Sequence, residues 1–338
     1  MTVLDWLLAS DPSVRWQALR DLAGAPADVV DAERARVAAE GWGARLLALR
    51  GDDGQWAGGA YFPAQGGDSD VGPANGADVQ DSEVDSGGYE RADDGVQPWT
   101  ATTYSLLQLR DFGVDPGSDQ MRETVALVRD NCRWEEGGQP YFAGEVEPCI
   151  NGMVVGLGAY FGQDVDGTVA RLVSEQLDDG GWNCWAEYGA VVSSAATTIN
   201  VLEGLLAHEL STGGSAESID ARGRAEEYLL ERRLFRRKST GEVIDPAWLE
   251  FSFPTRWHYD VLRALEYFRS AGGPPDPRMA EAIGLLRSRK QPDGTWLLEN
   301  THPGQVHFEL EDGDGRPSRW NTLRALRVLR WYDGGARP

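Results

Sequence analysis

Asp178-Asp179-Gly180-Gly181-Trp182 is a turn sequence that follows an amphipathic stretch over residues 167–177, and the chain repeats this arrangement. Related turns occur at residues 52–56 and 292–296, each directly after another amphipathic stretch. In such a turn Gly can adopt a positive φ, Asp can accept hydrogen bonds from backbone N–H groups, and Trp offers a large apolar surface to adjacent helices. The repetition therefore predicts an array of helical hairpins.

Six helices are predicted to begin after such turns or after degenerate copies of them. Their starts lie near residues 13, 98, 147, 193, 253 and 316, and four of the six carry Pro, which suits a first helical turn because its missing N–H has no partner there. Their continuations share a small or apolar pattern, as in Val201-Leu202-Glu203-Gly204-Leu205, Val261-Leu262-Arg263-Ala264-Leu265 and Thr322-Leu323-Arg324-Ala325-Leu326. Because a repeat array can close into one ring, we expect residues 1–338 to form a single all-α domain.

The composition excludes several classes of function. The chain has 338 residues and a formal net charge of −22, which argues against nucleic-acid binding because phosphate contacts require clustered Lys and Arg. No stretch has the uninterrupted apolar length needed for a transmembrane segment. The cysteines Cys132, Cys149 and Cys184 are too scattered to indicate a disulfide framework. We therefore expect a cytoplasmic protein that is a monomer or a weak homodimer.

Residues 64–96 form an apparent insertion, since they widen the gap between the first two predicted helix starts. The stretch is rich in Asp, Glu, Gly and Ser, and it offers too little apolar surface to offset its ordering entropy. We expect a disordered surface loop. A calcium-binding or lid role is the alternative, although the acidic residues lack the spacing of an EF-hand loop.

The segments 175–182 and 290–296 resemble the Gln-Trp repeats of the squalene cyclase and protein prenyltransferase β-subunit superfamily. The resemblance covers nearly the whole chain apart from the insertion. It implies an (α/α)6 toroid, with six inner helices around a central cavity and six outer helices. It also implies that chemistry takes place where the N-terminal ends of the inner helices meet the cavity, ends that carry unpaired N–H groups and partial positive charge.

Two motifs of that superfamily are missing from the sequence. Class II terpene cyclases carry an Asp-x-Asp-Asp cluster whose protonated Asp is the general acid, whereas the equivalent stretch here is Trp99-Thr100-Ala101-Thr102-Thr103. Protein prenyltransferases bind zinc through Asp, Cys and His. Here Cys149 and His258 lie at the helix starts of repeats that are not adjacent, and there is no Asp-x-Cys pair. We therefore expect no metal site and no cofactor.

His258 is the predicted catalytic residue, because it lies at an inner-helix start and its ordinary pKa suits proton transfer near neutral pH. Asp245 and Glu147, each just before an inner helix, are its predicted acidic partners. Other residues at these helix starts are predicted to bind the ligand, namely Trp99, Thr102, Tyr104, Cys149, Asn151, Thr198, Arg256, Trp257, Tyr259, Trp320 and Asn321. The structural alternatives are a core histidine, helix N-terminal charges, and Arg–Trp stacking.

Three hypotheses about function follow. The first is a terpenoid-cyclase-like or prenyltransferase-like enzyme that binds an apolar, isoprenoid-type small molecule in the cavity and catalyses proton transfer or cyclisation. The second is an (α/α)6 hydrolase or lyase that uses two loop carboxylates. The third is a ligand-binding toroid without catalysis. The resemblance favours the first hypothesis.

Overall fold

The computed structural model describes residues 2–64 and 99–334, and helices dominate both ranges. The predicted insertion at residues 64–96 lies outside the described residues, apart from Ala64. The helices of the first range are α1 (Val3–Leu8), α2 (Pro12–Ala18), α3 (Ala27–Ala35) and α4 (Gly41–Leu47). Those of the second are α5 (Thr102–Phe112), α6 (Asp119–Asn131), α7 (Pro148–Tyr160), α8 (Asp166–Ser174), α9 (Ala195–Thr212), α10 (Ala216–Glu231), α11 (Val261–Ala271), α12 (Ala280–Ser288) and α13 (Arg319–Gly334).

Regular strand structure in these ranges is confined to a two-stranded antiparallel pair, β1 (Trp296–Leu297) and β2 (Pro317–Ser318). The prediction of an all-α fold is confirmed. Within the described ranges, no helix combines the length and the apolar character that crossing a membrane requires.

Six helices form the inner wall of a toroid. α2, α5, α7, α9, α11 and α13 contact one another in succession, and α13 returns to contact α2. Hydrogen bonds close this last contact: Arg327 Nη1 donates to Gln17 Oε1 at 2.8 Å, and Arg330 Nη1 donates to the carbonyl oxygen of Asp21 at 2.7 Å. α8, α10 and α12 pack against α7, α9 and α11, on the side away from the ring centre. The pairing of all the helices into six hairpins stays a prediction. The segment around α2 contains three further helices, α1, α3 and α4, where a hairpin would have a single outer helix.

Burial separates inner from outer helices, as the sequence pattern indicates. In α7 every residue from Pro148 to Gly158 is buried, which is expected of a helix surrounded by others. In α6 the buried residues are Met121, Thr124, Val125 and Val128, whose spacing forms one stripe on a helix surface. The hydroxyl oxygen of Ser118 accepts a hydrogen bond from the Met121 N–H at 3.3 Å and so caps the start of α6.

The three Gly-containing turns have the predicted backbone conformation. Gly54, Gly180 and Gly294 have φ values of 92°, 96° and 91°. A Cβ atom at Gly180 would lie 2.8 Å from the carbonyl oxygen of Arg224, so the turn approaches the middle of the outer helix α10 too closely for a side chain. Positive φ and close approach both require glycine at this position.

The tryptophans of these turns join an outer helix to the next inner helix through equivalent hydrogen bonds. Each indole Nε1–H donates to the carbonyl oxygen ten residues earlier, in the pairs Trp56–Leu46, Trp182–Leu172 and Trp296–Leu286, at 2.7–2.8 Å. Each backbone N–H donates to a threonine hydroxyl of an inner helix, in the pairs Trp56–Thr102, Trp182–Thr198 and Trp296–Thr322, at 2.9–3.2 Å. All three rings are fully buried, so the repeated turn fixes the spacing of the hairpins.

Candidate functional site

A cavity of about 470 Å³ lies inside the ring. All six inner helices contribute to its wall, together with the loop that precedes α11; the lining includes Gln17, Tyr104, Met153, Asn200, Arg256, Arg263, Trp320 and Arg324. Its lining extends to the C-terminal ends of α9 and α11, where Leu210 is 73% exposed and Ser270 is also exposed. The cavity therefore opens at the C-terminal ends of the inner helices.

The opposite end of the cavity is covered by aromatic side chains. Trp99, Tyr104 and Met153 form a buried cluster with Tyr61 and Trp257 packed against it. This arrangement differs from the expectation drawn from the resemblance, in which the N-terminal helix ends open into the cavity. The reason is that large rings from several repeats converge there and fill the space.

His258 lies in a stack of rings next to this cluster. Its ring is 3.7 Å from that of Trp257 and 3.6 Å from that of His302, between centroids. Burial, assisted by His302 and Arg263, lowers the pKa of His258 to about 2, so the ring is neutral at physiological pH. His258 does not line the cavity. Its predicted role in proton transfer stays a prediction, and its surroundings do not favour it.

The two predicted acidic partners lie at other places. Asp245 accepts a hydrogen bond from the Ala247 N–H at 2.9 Å and caps a short helical turn. Glu147 flanks the start of α7, with an oxygen 3.5 Å from the sulfur of Cys149. Neither carboxylate lines the cavity, and within the described ranges no hydrogen bond or ion pair joins either of them to His258.

Several predicted ligand-binding residues have hydrogen bonds within the repeat framework instead. Thr102 and Thr198 accept from the tryptophan turns described above. The Asn151 side chain pairs with the backbone of Glu145, the Asn321 amide donates to the carbonyl oxygens of Phe251 and Leu297, and the Tyr259 hydroxyl donates to that of Leu234. Trp99 Nε1 donates to the carbonyl oxygen of Pro303 at 2.8 Å. Among the predicted set, Tyr104, Arg256 and Trp320 line the cavity.

The framework role of Thr198 can be tested directly. Thr198→Val keeps the shape of the side chain but leaves the buried N–H of Trp182 without an acceptor. We expect the free energy of unfolding to fall by about 1–3 kcal/mol, measured by urea denaturation. Thr322→Val, at the equivalent position, should behave alike. An unchanged unfolding free energy in both variants would contradict this assignment.

Arg256 is the most unusual residue of the cavity. It is only 9% exposed, its φ is 55°, and its guanidinium carbon lies 5.0 Å from the ring centroid of Trp99. Its Nη1 is buried without a hydrogen-bond partner, and the described residues place no carboxylate within ion-pair distance of it. Burial lowers the pKa of Arg256 to about 10, because the charged form has lost its hydration.

Charged residues, Arg256 among them, form a belt along the cavity wall. Of the described residues, seven arginines and three carboxylates line the cavity and make up this belt, namely Arg20, Arg34, Arg110, Arg256, Arg263, Arg324 and Arg327 with Asp111, Glu203 and Glu266. The cavity is thus cationic in a chain whose net charge is −22. Electrostatic attraction should concentrate small anions there.

The carboxylates of the belt are held by arginines. Arg263 contacts both oxygens of Glu203 at 2.8 Å, and Arg327 contacts both oxygens of Glu266. Burial acts to raise the pKa values of Glu203 and Glu266, but the neighbouring guanidinium groups outweigh it and lower both. These carboxylates are ionised at neutral pH, so they are not proton donors.

Sequence reasoning missed this belt, although a signal was present. Arg20, Glu203, Arg263 and Arg324 hold the same place in the apolar pattern shared by the inner helices. A charged residue repeated inside a buried pattern indicates a face that meets other charges or a polar cavity. That face is the inside of the ring.

Comparison with known proteins gives distant structural likenesses only. No protein-family model matches the chain, and no curated protein matches it. A protein from Actinoplanes of known structure is 16% identical, with 95% of this chain and 90% of that chain covered and a TM-score of 0.41. The type II terpene cyclase MstE from Scytonema is 16% identical, with 67% of this chain and 70% of that chain covered and a TM-score of 0.35. A structure of a MstE variant with geranylgeranyl dihydroxybenzoate, its substrate, has a TM-score of 0.29 at 16% identity, with 67% of this chain and 69% of that chain covered.

Proposed function

We propose that this protein binds a small organic anion in the central cavity, with the anionic group against Arg256 and an apolar body against the aromatic wall. The observation that carries the proposal is the buried guanidinium of Arg256, which has no carboxylate partner in residues 2–64 and 99–334 and whose Nη1 has no hydrogen-bond partner there. Removing a charge from water costs several kcal/mol unless a partner compensates for it. A carboxylate or phosphate would supply that partner through charge-assisted hydrogen bonds.

The surroundings of Arg256 support an amphiphilic ligand. Trp320 and Phe253 stack with their ring centroids 4.3 Å apart, and both line the cavity, as do Tyr104 and Leu107. Trp320 also stacks on Phe112 at 6.1 Å. Such a wall suits a flat or branched apolar body, while Arg256 engages the charged end. The volume of about 470 Å³ is within the range of small-molecule pockets.

The all-α toroid and its cavity are compatible with a terpenoid-cyclase-like protein, and an isoprenoid anion is the ligand class that we propose. The described part of the cavity favours binding over acid-initiated cyclisation. That reaction needs a protonated acid at the substrate, and the Glu203 and Glu266 carboxylates are ionised and paired. Pairing with arginine also argues against their use as the two carboxylates of a hydrolase.

Isothermal titration calorimetry with geranyl monophosphate, geraniol and inorganic phosphate would test the proposal. We expect geranyl monophosphate to bind at least 100-fold more tightly than geraniol, because only the phosphate ester engages Arg256, an advantage of about 3 kcal/mol. The affinity for octyl phosphate distinguishes two kinds of site. A site specific for isoprenoids should bind octyl phosphate more weakly than geranyl monophosphate, whereas a general amphiphile site should bind both alike. Equal affinities for geraniol and geranyl monophosphate would contradict the anion proposal, and binding of inorganic phosphate alone at equal affinity would contradict the apolar part.

A further inference from the structure

Two cysteines and a glutamate from neighbouring repeats converge outside the central cavity. Glu147, Cys149 and Cys184 each offer a ligand atom, and these atoms lie within 4.8 Å of one another. Cys149 is buried, and the other two residues are half-buried. The third cysteine of the chain, Cys132, is buried elsewhere and does not belong to the group.

The repeat framework fixes the positions of these three side chains. Glu147 and Cys149 flank Pro148 at the start of α7, where the helix fixes the backbone of both. Cys184 lies two residues after Trp182, which is anchored to Thr198 of α9. α7 and α9 pack side by side along their length, with Gly152 and Gly204 at the point of close approach. Cys184 itself lies in the loop before α9, and its sulfur is 3.4 Å from the Thr197 hydroxyl of that helix. The group is therefore held by the start of α7 and by a loop that is anchored to α9.

We propose that Glu147, Cys149 and Cys184 bind a zinc ion. Zinc prefers thiolate and carboxylate ligands in tetrahedral geometry, with bonds of roughly 2.3 Å to sulfur and about 2.0 Å to oxygen. At a tetrahedral angle these bonds place a sulfur and an oxygen ligand about 3.5 Å apart. The sulfur of Cys149 and the nearer oxygen of Glu147 are 3.5 Å apart.

Three protein ligands leave a fourth position on a tetrahedral zinc ion for water or for a substrate. The surroundings of the three ligand side chains are mixed in polarity. The Thr197 hydroxyl lies 3.4 Å from the sulfur of Cys184, and the exposed Trp185 and Val146 lie next to the ligands in sequence. The Tyr61 and Tyr104 hydroxyls share a hydrogen bond of 2.6 Å. Burial raises the pKa of both hydroxyls, and the nearby Cys149 and Glu147 raise it further. The site thus borders the aromatic cover of the cavity.

Cobalt(II) is the appropriate probe, because its absorption reports both thiolate ligation and tetrahedral geometry. The full-length protein is reduced, stripped of metal with a chelator and titrated with cobalt(II), then with zinc(II) as a competitor. We expect one equivalent to bind, with a thiolate-to-cobalt charge-transfer band and intense visible bands, both removed by zinc. Cys149→Ser and Cys184→Ser should each lower the affinity at least 100-fold, and Glu147→Gln about 10-fold.

Cys132→Ser is the matched control, because it removes a cysteine without touching the group, and it should bind cobalt like the unmodified protein. Circular dichroism establishes that each variant is folded, and Glu147→Gln tests the site with both thiols intact. Binding without a thiolate band, equal losses in Cys132→Ser, or a Cys149–Cys184 disulfide that persists under reducing conditions would overturn the proposal. Binding of geranyl monophosphate is measured in parallel, so that failure of the zinc site and failure of the anion site are distinguished.

Discussion

Arg256→Met is expected to abolish the binding of geranyl monophosphate while leaving the protein folded. The guanidinium lies at the deep end of the cavity and has no carboxylate partner among the described residues, so its loss removes the charge-assisted contact to the phosphate. We expect the affinity to fall by roughly 100-fold or more, which corresponds to about 3 kcal/mol. Titration calorimetry measures the effect, and geraniol should bind the variant and the unmodified protein equally.

The same substitution should stabilise the protein without ligand. An unpaired buried charge destabilises the folded state, and methionine fills a similar volume without that charge. We expect the free energy of unfolding to rise by about 1–3 kcal/mol. The positive φ at residue 256 is equally unfavourable for both side chains, so it does not enter the comparison.

Arg122→Met is the matched control for Arg256→Met, because Arg122 lies on the outer helix α6 with 62% of its side chain exposed. In Arg122→Met, neither the free energy of unfolding nor the free energy of binding geranyl monophosphate should change by more than a few tenths of a kcal/mol. If Arg256→Met binds geranyl monophosphate like the unmodified protein, Arg256 is a framework residue and the proposed function is wrong. A large loss of stability in Arg256→Met would lead to the same conclusion.

Acidification is expected to destabilise the protein at pH values well above the pH range in which ordinary carboxylates titrate. Burial lowers the pKa of His258 to about 2 and that of His302 to about 4, whereas both are near 6.5 in an unfolded chain. Below about pH 6.5 the unfolded state binds more protons than the folded state, so stability falls as the pH falls. For two such histidines the loss between pH 8 and pH 5 is about 4 kcal/mol.

Urea denaturation of the unmodified protein and of a His258→Phe/His302→Phe double variant over this pH range isolates the histidine contribution. Phenylalanine can preserve the ring stack on Trp257 but cannot be protonated. The carboxylates with shifted pKa values, such as Glu203 and Glu311, are present in both proteins and cancel in the comparison. Equal pH dependence in the two proteins would show that the histidines become protonated without loss of structure.

The sequence was sufficient for the helices and turns because these depend on local chemistry. Gly180 needs a positive φ, Trp182 must be buried, and α7 is buried on every side. Each of these requirements is visible in a short stretch of chain. The resemblance to Gln-Trp repeat proteins implied a ring, and the contact of α13 with α2 closes it. Arg256, Tyr104 and Trp320 were also predicted to bind the ligand, and they line the cavity.

The partners of individual side chains could not be read from their positions at helix starts. Thr198, Asn321 and Tyr259 share those positions with Arg256, yet their polar groups bond to the backbone of other segments. Cys184 was not connected with Cys149, because 35 residues separate them and only the packing of α9 on α7 brings the two sulfurs together.

By itself, the sequence determined that this protein is a helical repeat array with buried tryptophan turns, because φ preferences and hydrophobic periodicity act over a few residues. The tertiary structure alone decided which end of the ring is covered by aromatic rings, and which of the described arginines have carboxylate partners and which do not. These features depend on the distances between segments that are far apart in the chain. A free energy of desolvation, like that of Arg256, depends on every segment that surrounds the charge.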